Sequence, residues 1–244
     1  MDRAASWWNR RLPNADRLLP SPPATEDFKK DLLDCRACVS LAGHPGSKDI
    51  LCAPRLPTGR KVRPALAIVG QNPPEQEERR LHGAWMLHYS DAFKKGPAER
   101  LVADLLQYLH FTPAEVYATQ TVKCATNCNF TPHRDLTHLC ARTFLLREVK
   151  EVQPNILLVF GREPIQLFVE RGWVQGEPQS FRIYEEQGPS PHSTYRWEHV
   201  ISAPHPSHVG RFIKPVEAWM KAIYDAYYCS TFSNLTAPPY ADWK

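Results

Sequence analysis

Residues 65–74 read ALAIVGQNPP, a run of five apolar residues followed by a polar turn. Short apolar runs bounded by turn-forming residues are typical of strands that are buried on both faces. Three similar runs follow, separated by stretches with helical periodicity. The four predicted strands are Ala65–Val69, Val116–Thr119, Ile156–Phe160 and His199–Ala203. Strands that alternate with helices predict an α/β fold, with a central four-stranded parallel sheet covered by helices on both faces.

The remaining segments divide the chain into an arm and one domain. Residues 1–24 are rich in proline and arginine and predict an irregular arm, whereas residues 25–244 predict a single domain. The stretch 172–197 is rich in Pro, Gly and Ser, which predicts a long excursion or hairpin before the last strand. The predicted helices are 25–38, Ala98–Leu109, Asp135–Val152, Pro164–Arg171 and Pro215–Tyr228.

Composition narrows the class of protein. The 244 residues are 43% hydrophobic and carry a net charge of only +4, which are ordinary values for a globular domain. The chain has no run of about 18 apolar residues that would predict a membrane span, and its N-terminal region lacks the apolar core of a secretory signal. We therefore expect a protein of the reducing cytoplasm, and we expect a monomer. In that compartment clustered cysteines indicate metal ligands rather than disulfides.

Polar residues follow the predicted strands at what should be one edge of the sheet. Asn72 follows the first strand, Gln120 the second and His205 the fourth. Ligands of open parallel sheets bind outside the carboxyl ends of the strands, so these three side chains predict a site. The Asn72 amide is suited to orienting a water molecule, although an Asn-Pro turn also allows a purely local hydrogen bond. The His205 imidazole is suited to stabilising an anion that develops on a leaving group.

Candidate phosphate contacts lie in two loops. Ser207 and Arg211 follow His205, and a hydroxyl, backbone N–H groups and a guanidinium are all phosphate donors. Arg60 and Lys61 belong to a short basic cluster between Arg55 and Arg63. This cluster indicates either a phosphate-contacting edge or simply a solvated loop.

Four of the seven cysteines have the spacing of a metal site. Cys35 and Cys38 form a Cys-x2-Cys pair, while Cys124 follows the second predicted strand and Cys140 lies on the helix after it. A close pair plus two distant cysteines is typical of a soft metal centre, and the pattern alone fits either zinc or an iron–sulfur cluster.

In this order, the motifs resemble the uracil-DNA glycosylase superfamily, specifically its iron–sulfur families 4 and 5. The resemblance covers roughly residues 30–228. It implies a three-layer α/β/α sandwich, a [4Fe–4S] cluster held by the four cysteines, and excision of a flipped base from DNA. The matching segments are Cys35-x2-Cys38, Gly70–Pro74, Tyr117–Cys124, Cys140 at the start of the next helix, Pro154–Gly161 and His205–Arg211.

Three departures from these families fall in the implied base pocket. Gln71-Asn72 replaces a glutamate and a small residue, and Gly-x-Asn-Pro is similar instead to the mismatch-type thymine/uracil glycosylases, whose Asn positions the attacking water. Gln120 replaces the Asn that reads uracil. Trp85 and Met86 stand where a Gly-x-Pro-Phe segment would stack on the base. Gln71, Trp85, Met86 and Gln120 are therefore the predicted base-binding residues, and the predicted substrate is not ordinary uracil.

These observations predict a monofunctional, hydrolytic DNA glycosylase for a modified or damaged pyrimidine. A 5-modified cytosine, as in modified phage DNA, would imply a role in phage defence. No lysine is placed in the predicted pocket to form a Schiff base, so we expect an abasic product. The alternatives are a conventional uracil-DNA glycosylase of base-excision repair, a non-catalytic iron–sulfur DNA-binding module, and a zinc-stabilised hydrolase unrelated to DNA.

Overall fold

The computed structural model describes most of the predicted domain but not the arm. The described residues are 26–37, 50–54, 58–59, 64–73, 96–112, 115–126, 132, 134–174, 183–185, 199–209 and 215–231. The arm 1–24 lies outside them. So do six residues singled out above, namely Cys38, Arg60, Lys61, Trp85, Met86 and Arg211.

Strands and helices alternate along the described chain. The strands are β1 (Ile50–Pro54), β2 (Thr58–Gly59), β3 (Leu66–Gly70), β4 (Val116–Gln120), β5 (Cys124–Thr126), β6 (Ile156–Phe160), β7 (Ile183–Glu185) and β8 (His199–Ala203). The helices are α1 (Glu26–Leu33), α2 (Pro97–Tyr108), α3 (Arg134–Cys140), a π-helical segment (Ala141–Leu145), α4 (Leu146–Val152), α5 (Arg162–Glu170) and α6 (Val216–Thr231).

The main sheet has the order β2-β4-β3-β6-β8-β7. Its four central strands, β4, β3, β6 and β8, are parallel, which confirms the prediction of a four-stranded parallel sheet. Two short antiparallel strands, β2 and β7, extend it at the edges. β2 was not predicted, whereas β7 lies in the stretch 172–197 and pairs with β8, which agrees with the hairpin predicted before the last strand. They have two and three residues, too few to show an alternating pattern. A separate antiparallel pair joins β1 to β5.

Helices cover both faces of the sheet, which gives the predicted three-layer α/β/α sandwich. On one face Leu66 and Ile68 of β3 pack with α2 and α6, in a core that includes Leu105 and Trp219. On the other face Ala67 and Val69 pack with α4, α5 and the π-helical segment. Burial of a large apolar side chain contributes about 1.5–3 kcal/mol, and all five residues of β3, β4 and β6 are buried. These strands therefore anchor the fold.

The predicted helix Asp135–Val152 is not one uninterrupted α-helix. It contains the π-helical segment, and Cys140 is the residue immediately before that segment rather than the start of a helix. A π-helical turn widens the helix by one residue and shifts the faces on either side of it. Cys140 thus packs in a small cluster beside α1, while Ala141 and Leu145 face the main sheet.

The direction of the connections places a topological switch point between β3 and β6. The chain leaves β3 for α2 on one face of the sheet and leaves β6 for α5 on the other. In open parallel sheets such a switch point opens a gap at the carboxyl ends of the two strands. The residues at this edge are Gly70, the last residue of β3, Gln71 and Asn72 after it, and Gly161 after β6.

Gly161 has a backbone conformation that provides a stability test. Its φ of 94° and ψ of 161° lie in a region that is essentially restricted to glycine. An added Cβ would meet the His205 Cβ at 3.6 Å, an ordinary contact, so the cost is backbone strain rather than a clash. We predict that Gly161→Ala lowers the free energy of unfolding by about 1–3 kcal/mol, measured by chemical denaturation.

The matched control for that experiment is Gly96→Ala. Gly96 precedes α2 with a φ of −68°, which alanine adopts without strain. Its substitution should change the free energy of unfolding by no more than about 1 kcal/mol. Equal effects at the two glycines would contradict the strained conformation of Gly161.

Candidate active site

The turn after β3 is fixed to the loop after β4. Gly70 is in register with Gln120, and the Gly70 carbonyl accepts hydrogen bonds from both the backbone N–H and the hydroxyl of Thr121, at 2.8 and 2.9 Å. The Gln71 carbonyl accepts a third from the Val122 N–H at 2.8 Å. Thr121 and Val122 are fully buried. The segment that carries Asn72 is therefore held against the segment that carries Gln120.

Asn72 and Gln120 differ in exposure. Asn72 is half-buried, and its Nδ2 donates to the Pro73 carbonyl at 3.2 Å, which is the local hydrogen bond that an Asn-Pro turn allows. That bond orients the amide, so Oδ1 is the atom suited to accept from a water molecule. Gln120 is the last residue of β4 and only 3% of it is exposed. Gln71 is half-buried at the same rim.

His205 lies at the same edge of the sheet, two residues after β8. Because β6 separates β3 from β8, the strands that lead to Asn72 and His205 are about 10 Å apart. Gly161 follows the last residue of β6, between these two strands, and lies near His205, since a Cβ added to Gly161 would be 3.6 Å from the His205 Cβ. The structure thus brings Asn72, Gln120 and His205 to one edge of the sheet, as the sequence predicted.

The ring of His205 is held in one orientation. Its Nδ1 accepts a hydrogen bond from the Ser207 backbone N–H at 3.2 Å and lies 2.8 Å from the Ser207 hydroxyl. A ring nitrogen that accepts an N–H donor carries no proton, so in the neutral imidazole the proton is on Nε2. Burial lowers the pKa of His205 from 6.5 to about 4, and the nearby His208 contributes in the same direction. At neutral pH His205 is a neutral donor through Nε2.

The loop that carries His205 is anchored from two sides. The Gly161 N–H donates to the Ala203 carbonyl at 2.9 Å, and the indole N–H of Trp219 donates to the Pro204 carbonyl at 3.2 Å. Trp219 is fully buried and stacks on Phe160 of β6. The packing of α6 in the core therefore fixes the position of Pro204, and with it the start of the loop that carries His205.

A buried ion pair beside Gln120 was not predicted from the sequence. Lys123 and Glu148 are 1% and 2% exposed, and the Lys123 ammonium binds the Glu148 carboxylate. The same ammonium donates to the Thr119 hydroxyl at 2.6 Å and to the Gln120 carbonyl at 2.7 Å. Burial raises the pKa of Glu148, while the Lys123 charge opposes that shift. The sequence feature that could have indicated this pair is Glu148, a charged residue on the apolar face of the helix that covers the sheet.

Three of the four candidate metal ligands lie in one apolar cluster. Cys124 and Cys140 are buried there, and Cys35 packs against the same cluster; its other members are Phe28, Leu32, Val122, Leu136 and Phe144. The Cys140 sulfur accepts a hydrogen bond from the Lys123 backbone N–H at 3.3 Å. Within the described ranges no three Cys, His, Asp or Glu side chains are grouped closely enough to hold a metal ion.

An open groove of about 380 Å³ lies apart from this edge. It is lined by Arg134, Asp135, His138, Leu139, Arg142 and Arg171, and includes none of the three residues at the sheet edge. The Glu170 carboxylate pairs with Arg134 at 2.6 Å and with His138 at 2.8 Å, which offsets much of the positive charge. Ser207 is the one predicted DNA contact within the described residues, and it is exposed beside His205.

In the part of the chain that the structure describes, no helix is long and apolar enough to span a membrane.

The family model for the uracil DNA glycosylase superfamily matches residues 56–226, more than half of the 244 residues. The match includes the four central strands together with Asn72, Gln120 and His205, and it excludes Cys35 and Cys38. Members of this superfamily are DNA glycosylases, and their partner is DNA. With this match and the three-layer fold, the chain belongs to the uracil DNA glycosylase superfamily.

Proposed function

We propose that this DNA glycosylase flips out a modified or damaged pyrimidine and excises it by hydrolysis, leaving an abasic site. The observation that carries the proposal is the meeting of Asn72, Gln120 and His205 at the carboxyl edge of the sheet, within a chain of this superfamily. A base inside a duplex is inaccessible, so the target nucleotide first swings out of the stack, at a cost of a few kcal/mol.

Base recognition falls to Gln120. Its amide offers one acceptor and two donors, which suit the edge of a pyrimidine. Its side chain is one methylene longer than asparagine, which changes the depth at which the amide meets the base. Trp85 and Met86, outside the described residues, would stack on the base, and Gln71 would lie beside it. A 5-modified cytosine is the candidate that fits an altered pocket, with defence against modified phage DNA as the corresponding role.

Departure of the base requires stabilisation of an anion. The bond between C1′ of the sugar and the base nitrogen breaks, its electron pair moves to the base, and the sugar gains oxocarbenium character. A neutral His205 with its proton on Nε2 would donate a hydrogen bond to the oxygen where that charge collects. The Ser207 N–H, by occupying Nδ1, selects the tautomer that can do this.

Water completes the reaction. Asn72 cannot act as a strong base, so its role is to position the water molecule that attacks C1′. The hydroxyl adds to the sugar and the proton passes to solvent or to the departing base. Lys123 is unsuited to Schiff-base chemistry because its ammonium is buried and bound to Glu148, which supports a hydrolytic, monofunctional reaction.

A [4Fe–4S] cluster held by Cys35, Cys38, Cys124 and Cys140 is part of the proposal. The proposal is supported by the apolar cluster that Cys35, Cys124 and Cys140 share, although these side chains are not grouped as closely as bound ligands. It is also supported by the N–H donor to the Cys140 sulfur, since thiolate ligands commonly receive such bonds. When bound, the cluster would cross-link α1 to the body of the domain. Zinc is the alternative metal for the same thiols.

Two other functions remain as alternatives. The superfamily match favours a conventional uracil-DNA glycosylase of base-excision repair, which would differ only in its substrate. A non-catalytic iron–sulfur DNA-binding module would need neither Asn72 nor His205 at the carboxyl edge. A panel of duplexes with different pyrimidines, each followed by cleavage at abasic sites, separates all three.

The roles of the two proposed catalytic residues are tested by substitution. Asn72→Ala and His205→Ala should each lower the single-turnover excision rate by at least about a hundredfold, because each removes an interaction made mainly in the transition state. Both side chains lie at the rim rather than in the core, so the melting temperature should change little. The control for loss of a polar side chain is Thr143→Ala, which removes an exposed hydroxyl of the π-helical segment and should leave the rate unchanged. Full activity in either main variant would exclude its assigned role.

The low pKa of His205 also sets a pH dependence. The folded protein binds this proton with a pKa of about 4, whereas the unfolded chain binds it near 6.5. The unfolded state therefore holds more protons between these values, and this group contributes stability that is lost as the pH falls from 6.5 towards 4.

The excision rate should accordingly show no inflection from His205 between pH 8 and roughly pH 5.5. An inflection near 6.5 that disappears in His205→Ala would contradict a neutral imidazole with a lowered pKa.

Base choice is tested at Gln120. Gln120→Asn shortens the side chain by one methylene while keeping the amide, so it should raise activity on uracil relative to the best 5-modified or damaged pyrimidine in the panel. The measurement is the ratio of kcat/KM for the two duplexes. Efficient removal of uracil by the wild type, unchanged in Gln120→Asn, would favour the conventional glycosylase.

The metal is tested by colour and by content. Protein purified in air should be brown, with about four iron atoms per chain, and Cys140→Ser should lose both. Cys229→Ser, which changes a cysteine outside the proposed set, is the control. A colourless protein with one zinc ion per chain would replace the cluster with the zinc alternative.

A further inference from the structure

The buried pair Lys123–Glu148 has an arrangement that stability alone does not explain. Each of these charges loses several kcal/mol of hydration when it is buried, and the replacement of such a pair by apolar residues of similar volume is often neutral or even stabilising. Both side chains are almost fully buried, one on the loop after β4 and the other on α4. The pair is therefore better examined for what it holds in place.

What it holds is the carbonyl of Gln120. The three N–H bonds of the Lys123 ammonium are directed to the Glu148 carboxylate, the Thr119 hydroxyl and the Gln120 carbonyl. The Thr119 hydroxyl in turn donates to Glu148 at 3.0 Å. These hydrogen bonds connect Glu148 on α4, through Lys123, to Thr119 and Gln120, the last two residues of β4.

A second set of bonds holds the same loop to the turn after β3. Thr121 and Val122 donate to Gly70 and Gln71, as described above, and the Lys123 N–H donates to the Cys140 sulfur. The loop is thus bound both by backbone contacts and by the ion pair. Since Gln120 is the last residue of β4 and is followed directly by this loop, the position of its Cα and the direction of its side chain follow from both sets of bonds.

We propose that Lys123 and Glu148 are positioning residues that set base selectivity through Gln120, without contact with the base. The inference rests on the proposed function, in which Gln120 reads the base. A loosened loop would let the Gln120 amide adapt to more than one pyrimidine edge, so loss of the pair lowers selectivity more than it lowers the rate on the poorer substrate.

The test removes both charges together. Lys123→Met with Glu148→Leu replaces the pair by apolar side chains of similar volume, which avoids a lone buried charge. Duplexes with uracil and with the best pyrimidine of the panel serve as substrates. The ratio of their kcat/KM values should fall at least about tenfold, in protein that stays folded at the assay temperature and keeps the wild-type metal content. Lys221→Ala with Asp225→Ala removes an exposed ion pair of α6 at 2.5 Å and should leave the ratio unchanged.

A second measurement does not depend on any substrate. Hydrogen exchange at the N–H groups of Thr121, Val122 and Lys123 should be at least about tenfold faster in the Lys123→Met, Glu148→Leu variant than in the wild type or the α6 control. These amides are the bonds that would loosen if the pair fixes the loop. Wild-type exchange rates in the folded double variant would overturn the inference even in the absence of measurable excision.

Gln120→Ala separates failure of this inference from failure of the proposed function. If Gln120→Ala changes the selectivity ratio but removal of the pair does not, the pair has only a structural role and the inference is wrong. If neither change alters the ratio, Gln120 does not read the base, and the proposed recognition is wrong as well. Equal losses of kcat/KM on both substrates in the double variant would likewise reject a role in selectivity.

Discussion

The burial of the central strands on both faces is the constraint on which the rest of this structure depends. Because every residue of β3, β4 and β6 is buried, these strands can present polar groups to a ligand only where they end. The order of the strands then selects the place, since the chain leaves β3 and β6 towards opposite faces, and ligands of open parallel sheets bind at such a switch point. Asn72, Gln120 and His205 are therefore grouped by topology rather than by closeness in sequence.

The loops at this edge are held by buried hydrogen bonds. The segment of Asn72 is bound to Thr121, the loop of His205 is bound to Gly161 and Trp219, and the carbonyl of Gln120 is bound to Lys123. Groups that act on a transition state are most effective when their geometry is set beforehand, because no reorganisation is then needed during the reaction. Desolvation of His205 itself, together with the nearby His208, lowers the pKa of the imidazole and favours its neutral form.

The sequence predicted the features that depend on local pattern. The four apolar runs became the four parallel strands, and the polar residues after them became the edge of the site. Features that depend on distant partners were not accessible in this way. Lys123 and Glu148 are 25 residues apart and meet only because α4 packs on the sheet next to β4. The tautomer of His205 depends on a backbone N–H, and the π-helical segment depends on hydrogen-bond geometry that no residue pattern specifies.

Helix α1 is held against the domain by apolar contacts that need no metal. Phe28 and Leu32 are fully buried against the apolar cluster, and Phe28 meets Phe144 edge to face at 6.0 Å. Arg147 on α4 binds Asp31 at 2.7 Å and lies over the Phe28 ring. These contacts hold α1 in place through apolar burial and one exposed ion pair, of which the burial contributes the larger part. A metal bound by the cysteines would therefore tie the segment after α1, which contains Cys35, to Cys124 and Cys140. It would add to the docking of α1, which apolar burial already provides.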